Sequence, residues 1–311
     1  MNDFVIIPDA SCDLTKELRD RFGIVEYLHG HITFPDGHDE VCDLDWGSIS
    51  AEEYFRTMAE DKAIYKTAGV GITEAETVFE KYLSNGIDVI NITLSSGISS
   101  TYGYCKKAAD NMQEKYPDRK IYCIDSLRYS TSLSLLVILA CQKKAEGATI
   151  DEVASFLEEK KHTIHQMGPM DDLFFLVRTG RISNVKAFFG SLVGVNPMAD
   201  FNEKGVSEVL AKFKGKKAAL DGVIKYMQGT IVDPEDQIIF VAHSNRPEAA
   251  EKLAAMIEKQ FHPKEIIMNT VGMACGANIG PGLCAAFYQG KPVSPGMEEE
   301  KALMASITDK K

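Results

Sequence analysis

Leu94-Ser95-Ser96-Gly97-Ile98-Ser99-Ser100-Thr101-Tyr102 follows an apolar run, Ile87 to Leu94, and precedes a segment, Tyr102 to Lys115, of helical character. A buried strand passing into a helix through hydroxyls and a glycine makes a concave polar cradle. The first N–H groups of a helix have no partner inside it. The helix dipole adds partial positive charge there, so an anion is favoured. Phosphate and carboxylate both suit this cradle, and the rest of the chain is read outward from it.

Strand and helix alternate on both sides of the loop. Phe4 to Ile7 is a short apolar run of buried-strand type, followed by the polar turn Asp9 to Asp13 and a helix from about Leu14 to Phe22, with Asp13 as its N-cap. Ile24 to Tyr27 is expected as a further strand, and His29 to Phe34 with Pro35-Asp36-Gly37 as a hairpin. Ser50 with Glu53, Thr73 with Glu76, and Thr149 with Glu152 have the capping-box spacing and open three helices. Tyr65 to Gly71 is a loop, and Lys120 to Ile124 a strand ending in Asp125-Ser126. Helices are expected over Tyr129 to Glu146 and Asp151 to Lys161. This alternation implies a doubly wound, mostly parallel sheet. Its ligand should sit beyond the C-terminal strand ends, where Asp9 to Asp13, Ser95 to Thr101 and Asp125-Ser126 all lie. The same three turns also serve as helix caps.

The second half changes character, and a boundary at 163/164 separates an N-terminal α/β domain (1–163) from a C-terminal one (164–296). Leu173 to Val177 is apolar and gives way to Arg178-Thr179-Gly180-Arg181, whose two arginines could grip an anion. A helix over Val185 to Leu192, a hairpin around Asn202 to Gly205, a basic run at Lys212, Lys214, Lys216 and Lys217, and two further helix–strand pairs describe a mixed sheet. Gly272 to Gly282 carries four glycines after a strand, which allows close backbone approach to a ligand, but it holds neither GxGxxG nor a P-loop. Residues 297–311 form a charged tail, a short helix or a frayed end.

Composition bounds the function. A net charge of −11 over 311 residues argues against nucleic-acid binding, which needs clustered positive charge, and against anionic lipid surfaces. Leu133 to Cys141 is too short to span a bilayer, so no stable membrane insertion is expected. Seven scattered cysteines without a CxxC pair fit reduced thiols in a cytoplasm. Met1-Asn2-Asp3 opens straight into strand-like sequence, with no signal peptide in view. His29, His31, His38 and Cys42 cluster near one another, yet their spacing fits no compact zinc pattern, and a solvated hairpin is preferred to a metal site.

Taken in order, Pro8-Asp9-Ala10-Ser11-Cys12-Asp13-Leu14, the serine loop Ser95 to Tyr102, Ile124-Asp125-Ser126, Leu176 to Ser183, and Gly276-Ala277-Asn278-Ile279-Gly280-Pro281-Gly282 resemble the DegV family over nearly the whole chain, to about Gln289. The characterised members of that family are bacterial fatty-acid-binding proteins. The resemblance implies two α/β domains enclosing a lipid tunnel, and a long-chain fatty acid as ligand rather than any cofactor or metal. It places Thr67, Ser99 and Asn278 at the carboxylate, with Ser96, Gly97, Ser126 and Gly280 as further pocket or loop residues. Asn278 stands where the family has a histidine; it donates a hydrogen bond but carries no charge. Thr67-Ala68-Gly69-Val70, Lys214 and Asn196 also depart from the family's pattern. The resemblance further implies a carrier that presents the fatty acid to a kinase-type partner and has no catalytic machinery. A third reading, taken from the residues themselves and compatible with a carrier, is an interaction module in which Arg178, Arg181 and the Lys212 to Lys217 run dock an acidic partner. The alternative is a magnesium-dependent phosphotransferase, resembling dihydroxyacetone-kinase-like proteins, in which Asp9 and Asp125 would hold the metal.

Overall fold

Apolar runs that stay buried along their whole length specify the centre of a parallel sheet. In the computed structural model, which describes residues 3–183 and 194–309, β1 (Phe4–Pro8) is buried throughout. So is the strand that precedes the serine loop. The described chain groups into two compact units, one of Met1–Ser48, Ile64–Lys161 and Gly272–Ala274, the other of Ile49–Ala63, His162–Val271 and Cys275–Lys311.

In the first unit, β1 leads through α1 (Lys16–Phe22) into the antiparallel hairpin β2 (Gly30–Thr33) and β3 (Asp39–Cys42). A short strand, β4 (Lys66–Ala68), joins this hairpin on the other side of β2. Then come α3 (Ile72–Leu83), β5 (Asp88–Thr93), α4 (Thr101–Lys115), β6 (Ile121–Asp125), α5 (Thr131–Ala145) and α6 (Ile150–Lys160). The main sheet has the order β1-β5-β6, all parallel, with Val5 beside Val89 and Ile92 beside Ile124. One face, with Val5, Ile7 and Val89, packs against Phe79 and Leu83 of α3 and Cys105, Ala108 and Met112 of α4. Phe4 and Ile6 alternate to the other face, where Lys144 of α5 lies over the Phe4 ring.

Three local expectations change. The α1 cap is Thr15, whose Oγ1 accepts from Leu18 N at 3.3 Å. Asp13 is left-handed, at φ 52°, and its carboxylate is used elsewhere. The α3 helix starts from Gly71 without a side-chain cap. Glu76 accepts from Asn111 Nδ2 at 2.6 Å and so ties α3 to α4 instead of reaching back to Thr73. Residues 24–27 form no strand, because only Leu28 reaches the main sheet, through Leu28 N to Pro8 O and Ala10 N to Leu28 O. The capping box of Thr149 with Glu152 forms as expected.

The second unit has a mixed sheet of order β12-β11-β13-β7, built from β7 (Ile164–Met167), β11 (Ile238–His243), β12 (Glu265–Thr270) and β13 (Cys284–Gln289). In it β11 pairs in parallel with β12, while β13 runs antiparallel to both of its neighbours, β11 and β7. A second sheet holds β8 (Ile182–Ser183) and the hairpin β9 (Val195–Phe201) and β10 (Ser207–Lys214). The apolar run after Leu173 is a helix, α7 (Phe174–Thr179), closed by left-handed Gly180. The helices α8 (Lys216–Thr230) and α9 (Pro247–Phe261) pack on a core with Met198, Phe213, Ile239 and Val241. The glycine-rich stretch contains a short helix, α10 (Met273–Ile279). The tail is α11 (Glu298–Thr308), whose Met304 and Ile307 enter the same core. The helix α2 (Ala51–Glu60) also groups with this unit. The helix expected over 185–192 lies outside the described residues.

A buried polar network organises the second unit. His165 and Asp200 are both fully buried, with Nδ1 2.5 Å from Asp200 Oδ2. Asp200 also accepts from Gln166 N at 2.9 Å, Phe201 N at 2.7 Å and the Tyr226 hydroxyl at 2.8 Å, so it acts as an acceptor throughout. His165 Nε2 faces the Lys291 carbonyl at 2.8 Å, which only accepts. Both ring nitrogens of His165 therefore face oxygens, and the two side chains form a buried hydrogen-bonded pair. Removing one member leaves the other buried without its partner. Asp200→Ala is expected to lower unfolding free energy by ~3–5 kcal/mol in denaturant titrations. His165→Ala combined with Asp200→Ala should cost less than the sum of the two single changes.

Candidate functional site

The C-terminal ends of β1, β5 and β6 bring together the three polar turns. Asp9 is buried between the first two. Its Oδ1 accepts from Ser11 N at 2.7 Å and its Oδ2 from Leu94 N at 2.7 Å. Burial raises its pKa, and these hydrogen bonds oppose the rise. Asp125 Oδ1 accepts from Ser96 N at 3.0 Å and Leu127 N at 3.2 Å. Ser95 N donates to Arg128 O at 2.8 Å, and Ser95 Oγ accepts from Gly97 N at 3.1 Å. Ile98 N and Ser99 N both donate to Ser95 O.

The amides from Leu94 to Ser99 are thus taken up by the chain itself, which confines the expected N–H cradle to the first turn of α4. What the loop presents is hydroxyls. Ser99 Oγ lies 3.0 Å from Thr101 Oγ1 and accepts from Thr101 N at 3.2 Å. Ser100 precedes α4 without a side-chain cap, so the helix dipole still faces outward there.

Within the first unit the structure brings the β4 segment to this hydroxyl pair. A Cβ at Gly69 would overlap Thr101 Oγ1 and lie 3.5 Å from Ser99 Oγ. Glycine is therefore required where the chain leaving β4 passes the loop. Thr67, two residues earlier, is exposed and pairs with Ile32 of β2. Ser96 and Gly97 are exposed on the loop. Ser126 is fully buried, and its hydroxyl donates to Arg128 O at 2.9 Å and accepts from Arg128 N at 3.0 Å, so it shapes its own turn.

The remaining sequence-predicted residues lie in the second unit. Asn278 is half-buried near the end of α10. That helix was hidden in the sequence by its glycine, and a Cβ at Gly276 would come within 2.9 Å of the Phe55 ring. Gly280 is left-handed at φ 76°, and a Cβ there would overlap Phe175. Arg178 is exposed in the last turn of α7, while Arg181 is half-buried and donates to Thr179 O. Among the described residues no group of three or more His, Cys, Asp or Glu is placed to hold a metal ion.

Sequence reading missed one cluster. The carboxylate of Asp13 is buried, accepts from Ser130 Oγ, and is bonded by the Gly272 backbone. A Cβ at Gly272 would overlap it. Ser130 adopts φ 57° and ψ −142°, a strained conformation for a residue with a side chain. Burial pushes the Asp13 carboxyl up to about 7, against the hydrogen bonds from Ser130 and Gly272. Such an acid binds more protons folded than unfolded, so stability falls as pH rises between its unfolded and folded values. Asp13→Asn should remove this slope. From pH ~4 to about 7 the variant is expected to gain up to ~4 kcal/mol relative to the wild type, read as the difference between two denaturation series.

Comparison with known proteins agrees with this architecture. A family model described as "Uncharacterised protein, DegV family" matches residues 3–291. A DegV domain-containing protein of Clostridium perfringens is 33% identical over 295 residues, covering 95% of this chain and 100% of that protein. Among solved structures, a fatty-acid-binding DegV family protein of Thermus thermophilus aligns with a TM-score of 0.82 at 20% identity, covering 92% of this chain and 99% of that one. A DegV family protein of Eubacterium eligens, loaded with heptadecanoic acid, aligns with a TM-score of 0.78 at 20% identity, covering 93% and 100%. The match over nearly the full length, in sequence and in fold, makes this chain a member of the DegV family.

Proposed function

We propose that the protein binds a long-chain fatty acid whose carboxylate is received by Ser99 and Thr67, with Asn278 as a third donor. The observation that carries this reading is the Ser99–Thr101 hydroxyl pair, pressed by Gly69 at the C-terminal end of a parallel sheet. Support also comes from DegV relatives whose structures hold fatty acids. Burying about ten methylenes yields roughly 8 kcal/mol of transfer free energy. Hydrogen bonds to a charged head add roughly 1.5–3 kcal/mol each. The tail therefore sets affinity, and the hydroxyls set orientation and head-group choice.

As part of this proposal the protein is a cytoplasmic carrier with no cofactor, handing its ligand to a fatty acid kinase-type partner that docks at Arg178 and Arg181. The phosphotransferase alternative is disfavoured by the buried Asp9, both of whose oxygens already accept backbone amides. That carboxylate is buried and committed to the backbone of its own turn and of Leu94.

Mass spectrometry of lipids extracted from the purified protein should find a bound acyl chain, and added fatty acids should bind. Absence of both would overturn the reading. Ser99→Ala is expected to weaken fatty-acid binding about 10-fold or somewhat more, equivalent to the loss of one charge-assisted hydrogen bond. Asn278→His should strengthen it severalfold by adding a chargeable donor.

A further inference from the structure

The second unit holds a groove of about 770 Å³ between the first turns of α8 and α9. Ligand pockets commonly measure roughly 300–1,000 Å³. Four cations border it: Lys216 and Lys217 from α8, and Arg246 and Lys252 from α9 and its lead-in. In a chain of net charge −11 this is a locally basic place. Two carboxylates, Asp221 and Glu248, face the same space, and Leu220 and Met256 supply apolar wall.

The charges in this groove are unspent. Among the described residues, Lys216, Lys217, Lys252, Asp221 and Glu248 make no ion pair and no side-chain hydrogen bond. Arg246 alone is fixed, donating to Asp171 Oδ1 at 2.9 Å and Gly282 O at 3.2 Å. Elsewhere on this chain lysines and carboxylates pair readily, as Lys81 does with Glu26 and Lys301 with Glu208. Neither α8 nor α9 has a side-chain cap at its start, so both dipoles add positive potential to that of the lysines.

The chemistry selects a ligand class. Ammonium groups bind phosphate oxygens as charge-assisted donors. Free carboxylates accept from hydroxyls, and an apolar wall suits a flat ring. We propose that this groove binds a nucleoside phosphate. Lys216, Lys217 and Lys252 hold its phosphates, Asp221 and Glu248 accept from its sugar hydroxyls, and its base lies against Leu220 and Met256.

Isothermal titration calorimetry of the full chain with ADP, adenosine and inorganic phosphate tests this. ADP should bind at submillimolar concentration, more tightly than either fragment, and raised salt should weaken it. Lys217→Glu combined with Lys252→Glu should weaken ADP binding at least about 10-fold and leave fatty-acid binding unchanged. Lys216→Gln, milder and exposed, should weaken it less. Four outcomes would overturn the proposal: no ADP binding at millimolar ligand, adenosine or phosphate binding as tightly as ADP, affinity insensitive to salt, or affinity unchanged by charge reversal.

Discussion

One buried carboxylate, that of Asp9, holds the polar end of the parallel sheet together. It receives two backbone amides, one from its own turn and one from Leu94, 85 residues away. An ionised carboxylate is costly to bury alone, and hydrogen bonds to charged groups offset that cost by roughly 1.5–3 kcal/mol each. Without Asp9, two buried amides would be orphaned as well. The neighbouring turns follow the same logic: Asp125 collects Ser96 N and Leu127 N, and Arg128 O collects Ser95 N. The turns lock one another, and the serine loop's amides from Leu94 to Ser99 are already used.

That constraint decides what chemistry the loop has left. With amides spent inside, recognition passes to the hydroxyl of half-buried Ser99, backed by that of buried Thr101. Gly69 completes the arrangement by letting a second segment come into contact. A donor set of neutral hydroxyls suits a carboxylate whose affinity comes from an apolar tail. A phosphate, lacking such a tail, would call for cations.

The second unit divides its polar groups differently. His165, Asp200 and Tyr226 form a buried network that also engages Gln166 N, Phe201 N and Lys291 O. Lys216, Lys217 and Lys252 sit at the opposite extreme, exposed and unpaired around a groove. Charges left uncompensated at the surface cost little, and they remain available to a ligand.

Periodicity and apolar runs determined most of the elements, because burial of Phe4 to Ile7 and Asp88 to Thr93 depends on composition that any buried sheet would require. The order of motifs likewise determined the family, and with it Thr67, Ser99 and Asn278 as candidates. Helix starts were legible where the cap is local, as at Thr149, and failed where a distant partner claimed the side chain, as Asn111 claims Glu76. Only the tertiary structure decided that Asp13 is a buried acid facing Ser130 and not a cap, that glycine at 276 belongs to a helix, and that the loop's amides are spent. Each depends on a contact made across tens to hundreds of residues, and spacing along a chain carries no record of which distant atom will fill a hydrogen bond.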